Sequence, residues 1–156
     1  MIEVPVPGAE PMRIEHLVSD FNGTLAVDGR LLPGVAQRLR LLADRVAVHV
    51  VTADTFGLAA RALSGLPLRL TVLAQGPHAP AKQRYAQDLG AEHCAAIGNG
   101  RNDELLLATV RLGIAVIQGE GAAPASLLAA QVLAPDIDTA LDLLLHPARL
   151  TATLRR

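Results

Sequence analysis

Four places in the sequence bring carboxylate, amide, hydroxyl and ammonium groups close to predicted strand ends. Residues 20–25 read Asp-Phe-Asn-Gly-Thr-Leu, residues 52–54 read Thr-Ala-Asp, and residues 98–103 read Gly-Asn-Gly-Arg-Asn-Asp. Lys82 lies between the second and third of these segments. A carboxylate can attack phosphorus, a divalent cation offsets the charge repulsion, and hydroxyl and ammonium groups bind the non-bridging oxygens. The set therefore indicates phosphoryl transfer.

These segments fall between strands and helices that alternate along the chain. Short apolar runs predict strands at residues 13–19, 46–51, 68–73, 93–97, 114–117 and 132–133. Helices are expected at 33–44, 56–63, 81–89, 102–110, 123–130 and 136–145, with a last one after Pro147. This order predicts an α/β fold, a doubly wound (Rossmann-like) parallel sheet with helices on both faces. Right-handed crossovers then bring the polar strand ends to one edge of the sheet.

Two antiparallel features are expected beside the parallel sheet. Residues 2–6 and 13–19 flank a Pro- and Gly-containing turn and predict an N-terminal β-hairpin. Residues 27–31 contain Asp28-Gly29, a strong turn signal, and predict a hairpin flap beside the site. The length of 156 residues indicates one domain over 1–156.

Composition excludes several classes of protein. The net charge is −1 and aromatic residues make up 2%, so neither a basic surface nor stacking platforms for nucleic acid are expected. No apolar run approaches the ~20 residues that span a bilayer, and the N-terminus lacks the pattern of a signal peptide. We therefore expect no membrane association and a cytoplasmic location. The single cysteine, Cys94, excludes an internal disulfide and a zinc site built on several thiolates.

With these motifs in order, the sequence resembles the haloacid dehalogenase (HAD) superfamily from about residue 13 to the last helix. Residues 20–25 resemble the first family motif, which usually reads Asp-x-Asp-Gly-Thr-Leu. Thr52 resembles the hydroxyl of the second motif, and Lys82 the lysine of the third. Residues 98–103 resemble the fourth, usually Gly-Asp-Gly-x-x-Asp or Gly-Asp-Gly-x-Asn-Asp. Within the superfamily, the chain is most similar to soluble proteins related to the phosphorylation domain of P-type ATPases.

The resemblance implies a role for each matching residue. Asp20 would be the nucleophile that carries a phosphoaspartate, and the main-chain carbonyl of Asn22 would bind Mg²⁺. Gly23 and the strand-end pair Thr52 and Ala53 would surround the phosphate together with Lys82.

By the same resemblance, the fourth motif would contribute to the Mg²⁺ site. Asn99 and Asp103 would complete or orient the Mg²⁺ shell around Asp20 and Asn22. Gly23 also allows a sharp turn, so that main-chain amides can point at an anion.

Two positions depart from the family pattern. Asn22 stands where the family usually has an aspartate that acts as general acid and base, and an amide cannot take a proton from water. General acid–base help contributes roughly a hundred- to ten-thousandfold in rate, so hydrolysis of the phosphoaspartate should be slow. Asn99 stands where a metal-binding aspartate is usual, and it can bind Mg²⁺ only as a neutral ligand. The alternative interpretation is therefore a degenerate, non-catalytic module that binds a phosphate compound or a protein.

The intervals between the motifs leave no room for the cap domain that many family members carry. Each is roughly 30 residues, enough for one strand–helix connection or a short flap and a helix. An open site of this kind predicts a phosphorylated small molecule or a phosphoprotein as substrate, and a homo-oligomer or a macromolecular partner as its cover. ATP hydrolysis is less favoured, because the chain has neither an inserted nucleotide domain nor a Gly-x-x-x-x-Gly-Lys-Ser/Thr loop.

Simpler interpretations exist for several of these residues. Asp20 alone could be a turn residue, and Asn99 followed by glycine is commonly a turn. Thr52 could cap the next helix, a role that Asp54 or Thr55 could also fill. Lys82 could be an ordinary surface lysine.

Three residues within predicted strands are expected in the core. Cys94, His16 and His49 are interpreted as packing residues rather than as ligands.

Overall fold

The computed structural model describes residues 1–54 and 56–155. Its strands are β1 (Ile2–Val4), β2 (Met12–Ile14), β3 (His16–Ser19), β4 (Ala26–Val27), β5 (Arg30–Leu31), β6 (Ala47–Thr52), β7 (Arg69–Val72), β8 (Cys94–Gly98), β9 (Leu112–Val116) and β10 (Val132–Ala134). Its α-helices are α1 (Val35–Ala43), α2 (Leu58–Ala62), α3 (His78–Leu89), α4 (Glu104–Thr109), α5 (Pro124–Ala129), α6 (Ile137–Leu145) and α7 (Pro147–Leu154). Two 3₁₀ turns span Ala91–His93 and Arg101–Asp103.

Six strands form one parallel sheet in the order β10-β9-β8-β3-β6-β7. β3 is the first of these strands in the chain, yet it lies in the middle, between β6 and β8. Strands β8 and β9 are buried along their whole length, as expected for continuous apolar runs covered on both faces. The predicted doubly wound α/β fold is confirmed.

The two faces of the sheet pack against different helices. Along β3, Leu17 joins a cluster with apolar residues of α1, α6 and α7, whereas Val18 joins one with residues of α3 and α4. Neighbouring residues of β6 divide in the same way, Val50 to the first cluster and Val51 to the second. The alternation follows from the two-residue period of a strand.

The N-terminal hairpin is present but shorter than predicted. β1 pairs with β2 antiparallel as a separate two-stranded sheet, and the predicted strand at 13–19 divides at Glu15. The Glu15 amide donates to the His93 carbonyl, and the Glu15 carbonyl accepts from the Ala47 amide. The main chain therefore leaves its pairing with β1 at this residue and enters the parallel sheet.

Helix α3 begins three residues earlier than predicted, at His78 rather than at 81. Pro80 falls within its first turn, where the missing N–H would have no intrahelical partner and proline is tolerated. The earlier start places Lys82 in the second turn of the helix.

The connections between the site segments are short, as predicted. Between Asp20 and Thr52 the chain forms only the β4–β5 hairpin and α1. Asp28 and Gly29 turn this flap, with φ values of 52° and 73°. Between Thr52 and Lys82 the described residues form α2 and β7, so no inserted cap is found in either connection.

None of the helices in the described part of the chain combines the length and apolarity that crossing a membrane requires.

Candidate active site

The carboxyl ends of β3, β6 and β8 form the floor of the candidate site. Asp20 follows the last residue of β3, Thr52 is the last residue of β6, and Asn99 follows the last residue of β8. Ser19 pairs with both Val50 and Ile97, so the three strand ends lie side by side.

Lys82 reaches this edge from α3 and connects two carboxylates. Its Nζ donates to Oδ1 of Asp20 and to Oδ1 of Asp103, at 2.7 Å in both cases. Lys82 is the only lysine of the chain, and its side chain is fully buried, as is that of Asp103. The interpretation of Lys82 as a surface lysine is therefore wrong.

The electrostatics of this cluster follow from its burial. Loss of solvent, together with the neighbouring Asp103 carboxylate, raises the pKa of Asp20 to about 6, although Lys82 opposes the shift. Burial alone would lower the pKa of Lys82, but the two carboxylates outweigh it and raise the pKa. One ammonium therefore faces two acidic groups, and the cluster carries a surplus of negative charge when both are ionised.

Asp103 is held by donors on both of its oxygens. Oδ1 accepts from Lys82, and Oδ2 accepts from the main-chain amides of Asn99 at 3.0 Å and Gly100 at 2.9 Å. A Cβ atom on Gly98 would lie 2.5 Å from the Asp103 Cγ, so only glycine permits this approach. The Asp103 carboxylate thus fixes both the loop after β8 and the lysine.

The Thr24 hydroxyl lies between the side chains of Asp20 and Asn99. Its Oγ1 lies 3.2 Å from Asn99 Oδ1 and 3.4 Å from Asp20 Oδ2. The sequence places Thr24 after the first core strand but assigns it no role. These two oxygen acceptors near one hydroxyl, on neighbouring loops, are of the kind that hard cations bind.

The second predicted segment lies at the same edge but outside this hydrogen-bond network. In the described residues, no hydrogen bond joins Thr52 or Ala53 to Asp20 or Lys82. The Thr52 hydroxyl, which is buried, instead accepts from the Asp54 amide at 3.2 Å.

Asp54 makes the contacts of a capping residue before α2. Its carboxylate accepts from the amides of Phe56 at 3.2 Å and Ala59 at 2.8 Å. The capping alternative for Thr55 lies outside the described residues. Asn22 is exposed, and no side-chain hydrogen bond joins it to the described part of the cluster.

Two residues that the sequence analysis missed come from the loop after β9. Gln118 donates from Nε2 to the carbonyls of Gly23 at 3.2 Å and Thr24 at 2.6 Å, and its Oε1 accepts from the Ile137 amide at 2.9 Å. Glu120, two residues on, reaches the loop that contains Gly23. The expectation that polar residues after parallel strands converge applies to this strand too and could have identified both.

Acidic and metal-binding side chains are sparse here. Among residues 1–54 and 56–155, no group of three or more His, Cys, Asp or Glu side chains is arranged to hold a metal ion. Any cation at this edge would therefore rely on amide, carbonyl and water oxygens in addition to carboxylates.

Solved structures share this fold over most of the chain. A protein from Legionella pneumophila assigned to subfamily III A of the HAD superfamily hydrolases matches with a TM-score of 0.72 and 21% identity, covering 92% of this chain and 88% of that one. The cobalt-bound deoxy-D-mannose-octulosonate 8-phosphate phosphatase of Haemophilus influenzae matches with a TM-score of 0.72 and 15% identity, covering 90% and 92%. A 3-deoxy-D-manno-octulosonate 8-phosphate phosphatase of Moraxella catarrhalis, in complex with magnesium, phosphate and KDO, matches with a TM-score of 0.67 and 17% identity, covering 90% and 91%. The fold is therefore that of the HAD superfamily in a capless form, and the predicted resemblance is confirmed at the level of the fold.

Curated sequences place the chain in a family. The uncharacterized protein MJ0073 of Methanocaldococcus jannaschii is 47% identical over 79 residues, which cover 48% of this chain and 85% of that protein. The uncharacterized protein MJ0072 of the same organism is 41% identical over 39 residues, which cover 25% and 89%. No protein-family profile matches the sequence. The chain belongs to the same sequence family as these two archaeal proteins.

Proposed function

We propose that this protein is a magnesium-dependent phosphohydrolase or phosphotransferase that acts through a phosphoaspartate on Asp20. The observation that carries the proposal is the position of Lys82, a buried ammonium 2.7 Å from both Asp20 and Asp103 at the carboxyl edge of the sheet. The fold supports it, since matched structures of the same fold are phosphatases. Surface ion pairs are common, but a fully buried lysine shared by two aspartates is a costly arrangement and indicates a site.

The proposed reaction has two steps, formation and hydrolysis of an aspartyl phosphate, and groups of this protein act in each. A carboxylate oxygen of Asp20 attacks phosphorus, the bond to the leaving oxygen breaks, and an aspartyl phosphate forms. Water then attacks phosphorus, the bond to Asp20 breaks, and inorganic phosphate leaves. Lys82 offsets the negative charge of the phosphoryl oxygens in both steps, and Thr52, Ala53 and Gly23 supply hydroxyl and main-chain donors at the same edge.

The donor atoms near Asp20 fit a magnesium ion. Asp20 Oδ2 and Asn99 Oδ1 both lie within 3.4 Å of the Thr24 hydroxyl, and the Asn22 carbonyl is on the same loop as Asp20. These groups would hold the ion, while Asp103 orients Lys82 and the Asn99 loop. When bound, Mg²⁺ offsets the repulsion between the carboxylate and the phosphate dianion.

Asn22 determines which of the two steps is slow. Its amide cannot remove a proton from the attacking water, so the phosphoaspartate should form faster than it breaks down. The protein would then spend much of its turnover time phosphorylated.

The open site supports the proposed substrate class. In the absence of a cap, a phosphorylated small molecule or a phosphoprotein can reach Asp20, and a second copy of the chain would provide a cover. The phosphatases of the same fold include enzymes that act on an octulosonate 8-phosphate, and a sugar phosphate is accordingly the first small molecule to test.

A labelling experiment tests this function. The protein is incubated with Mg²⁺ and radiolabelled acetyl phosphate, and acid-stable, alkali-labile label is counted. Wild type should be labelled, Asp20→Asn should not, and Asp88→Asn, an exposed aspartate on α3, serves as the matched control. Asn22→Asp should lower the steady-state label and raise phosphate release by roughly a hundred- to ten-thousandfold.

Two other results of the labelling experiment would overturn parts of the proposal. If wild type is neither labelled nor active with acetyl phosphate or a nitrophenyl ester, the non-catalytic binding module becomes the better interpretation. Label that survives in Asp20→Asn would exclude Asp20 as the nucleophile.

A further inference from the structure

Glu120 extends over the loop that carries the proposed nucleophile. A methyl group placed on the Cα of Gly23 would lie 2.6 Å from Glu120 Oε2 and 2.5 Å from Asn99 Nδ2. Gly23 has φ of +76°, and the space above its Cα is filled by these two side chains. A carboxylate therefore lies next to the amide of Asn99, although the two residues come from different strand ends.

The loop after β9 is tied to Asn99 at several points. Asn99 Nδ2 donates to the Gly121 carbonyl at 3.0 Å, and the Ala123 amide donates to the Asn99 carbonyl at 2.8 Å. The Gly121 amide closes a turn on the Gln118 carbonyl at 2.7 Å. These bonds fix the main chain on either side of Glu120, so its position beside Asn99 is built into the fold even though the side chain is exposed.

The charge of the site shows what such a carboxylate can contribute. Asn99 is neutral, and both oxygens of Asp103 already accept from Lys82 and main-chain amides. Asp20 shares the same ammonium. Few uncommitted negative charges thus remain for a divalent cation, whose affinity depends strongly on the charge of its ligand set.

We propose that Glu120 is the second anionic residue of the magnesium site and supplies, from the neighbouring loop, the charge that Asn99 lacks. The proposal rests on the magnesium dependence proposed above and assigns a residue that the four family motifs do not include. Glu120 acts on the bound ion through its charge beside Asn99, directly or through a water ligand.

Magnesium affinity, measured without turnover, tests this role. Titration calorimetry of the full chain with MgCl₂ should show a dissociation constant for Glu120→Gln that is about 10- to 100-fold weaker than that of wild type, the range found when a supporting metal-site carboxylate is lost. Glu92→Gln removes the same charge from an exposed residue at the opposite edge of the sheet, and its affinity should stay within about twofold of wild type.

A double variant that moves the carboxylate from position 120 to position 99 separates the effect of charge on magnesium affinity from the effect of loop structure. Asn99→Asp in the Glu120→Gln background returns a carboxylate to the site and should restore the magnesium affinity to within a few fold of wild type. If the double variant stays weak, Glu120 acts by holding the loop, and the assignment of charge is overturned.

The remaining outcomes are also decisive. Unchanged affinity in Glu120→Gln would overturn the role of Glu120 and leave the proposed magnesium-dependent function intact. No magnesium binding by wild type would overturn both, and the labelling experiment on Asp20 would show separately whether phosphoryl transfer occurs at all.

Discussion

At the scale of single residues, Lys82 organises the site more than any other side chain. Its ammonium is surrounded by Asp20 and Asp103, and the three groups are nearly or completely buried. A buried ion pair contributes little net stability relative to an apolar replacement of all partners, but loss of one partner leaves an uncompensated charge. The cluster is therefore sensitive to single changes, and a costly buried arrangement of this kind supports the proposed role in phosphoryl transfer.

Lys82→Met tests that sensitivity. The change leaves two carboxylates facing each other in the core, so the free energy of unfolding at pH 7.5 should fall by about 3 kcal/mol or more. The loss should shrink at pH 5.5, because without the ammonium the pKa of Asp20 rises further above its unfolded value, and protonation relieves the repulsion. Urea unfolding followed by far-ultraviolet circular dichroism measures both values.

The matched control is Arg84→Met, which removes an exposed positive charge from the same helix and should change stability by no more than about 0.5 kcal/mol. Equal stability of Lys82→Met and wild type at both pH values would contradict the buried arrangement.

The residue types at the centre of the site could be predicted from the sequence, whereas the contacts made by the supporting residues could not. Asp20, Lys82, Asn99 and Asp103 carry recognisable motifs, and the structure brings them together. Thr24 lies on the loop after β3, and Gln118 and Glu120 lie on the loop after β9. Their contacts depend on the paths of these two loops, which spacing along the chain does not determine.

At the scale of elements, a polar chain of side chains crosses one face of the sheet. His16 on β3 and His49 on β6 approach to 3.2 Å between ring nitrogens, and the other nitrogen of His49 lies 2.9 Å from the Tyr85 hydroxyl on α3. The expectation of core residues fits His49, which is buried, whereas His16 is only half-buried. The polar contacts of the two histidines were not foreseen. These contacts link α3, which carries Lys82, to two central strands.

The free energy of unfolding should depend on pH through His49, which makes both of these contacts. Burial, with His16 and Arg69 as neighbouring charges, lowers the pKa of His49 from 6.5 to about 4. The unfolded state therefore binds a proton that the folded state excludes, and stability is present above pH 6.5 and lost as pH falls toward 4. Between pH 7 and 4.5 the loss due to His49 should be on the order of 2 kcal/mol.

His49→Gln keeps polar groups toward His16 and Tyr85 but cannot titrate. The difference in free energy of unfolding between pH 7 and 4.5 should be smaller in this variant than in wild type, and groups common to both proteins, including Asp20, cancel in the comparison. Identical pH dependence in the two proteins would show that His49 is not held neutral by the fold.

The sequence predicts the order of strands and helices better than their boundaries. The alternation of strands and helices was predictable because buried parallel strands are short apolar runs. The division at Glu15 was not, since the residues on both sides have the same strand pattern and only the identity of the partner strand changes. The predicted start of α3 was wrong because Pro80 is compatible with a helix that begins just before it and with one that begins just after it.

At the scale of the whole molecule, the sheet separates two hydrophobic clusters that share the same strands. Leu141 of α6 belongs to one cluster and Leu106 of α4 to the other, and both are fully buried. Because each central strand contributes to both clusters, separation of the strands disrupts both clusters at once. This coupling supports the proposal of one domain over 1–156.

Cooperative unfolding tests the proposal. Leu141→Ala and Leu106→Ala should each lower the free energy of unfolding by about 2–5 kcal/mol, and in each variant the far-ultraviolet signal and the fluorescence of Tyr85 should change in one coincident transition. Tyr85 is the only tyrosine and the chain has no tryptophan, so the fluorescence reports one position on α3. Two separated transitions would show that the clusters unfold independently.

The burial of Lys82 also determines how the intact chain responds to a lysine-specific protease. The sequence offers such an enzyme a single target bond, between Lys82 and Gln83, and the lysine side chain is fully buried in the second turn of α3. Cleavage requires α3 to leave the sheet and the two aspartates to release the ammonium. When reclosing is faster than cleavage, the rate at which this bond is cut is proportional to the fraction of molecules in which the site is open, and no label need be added to the protein.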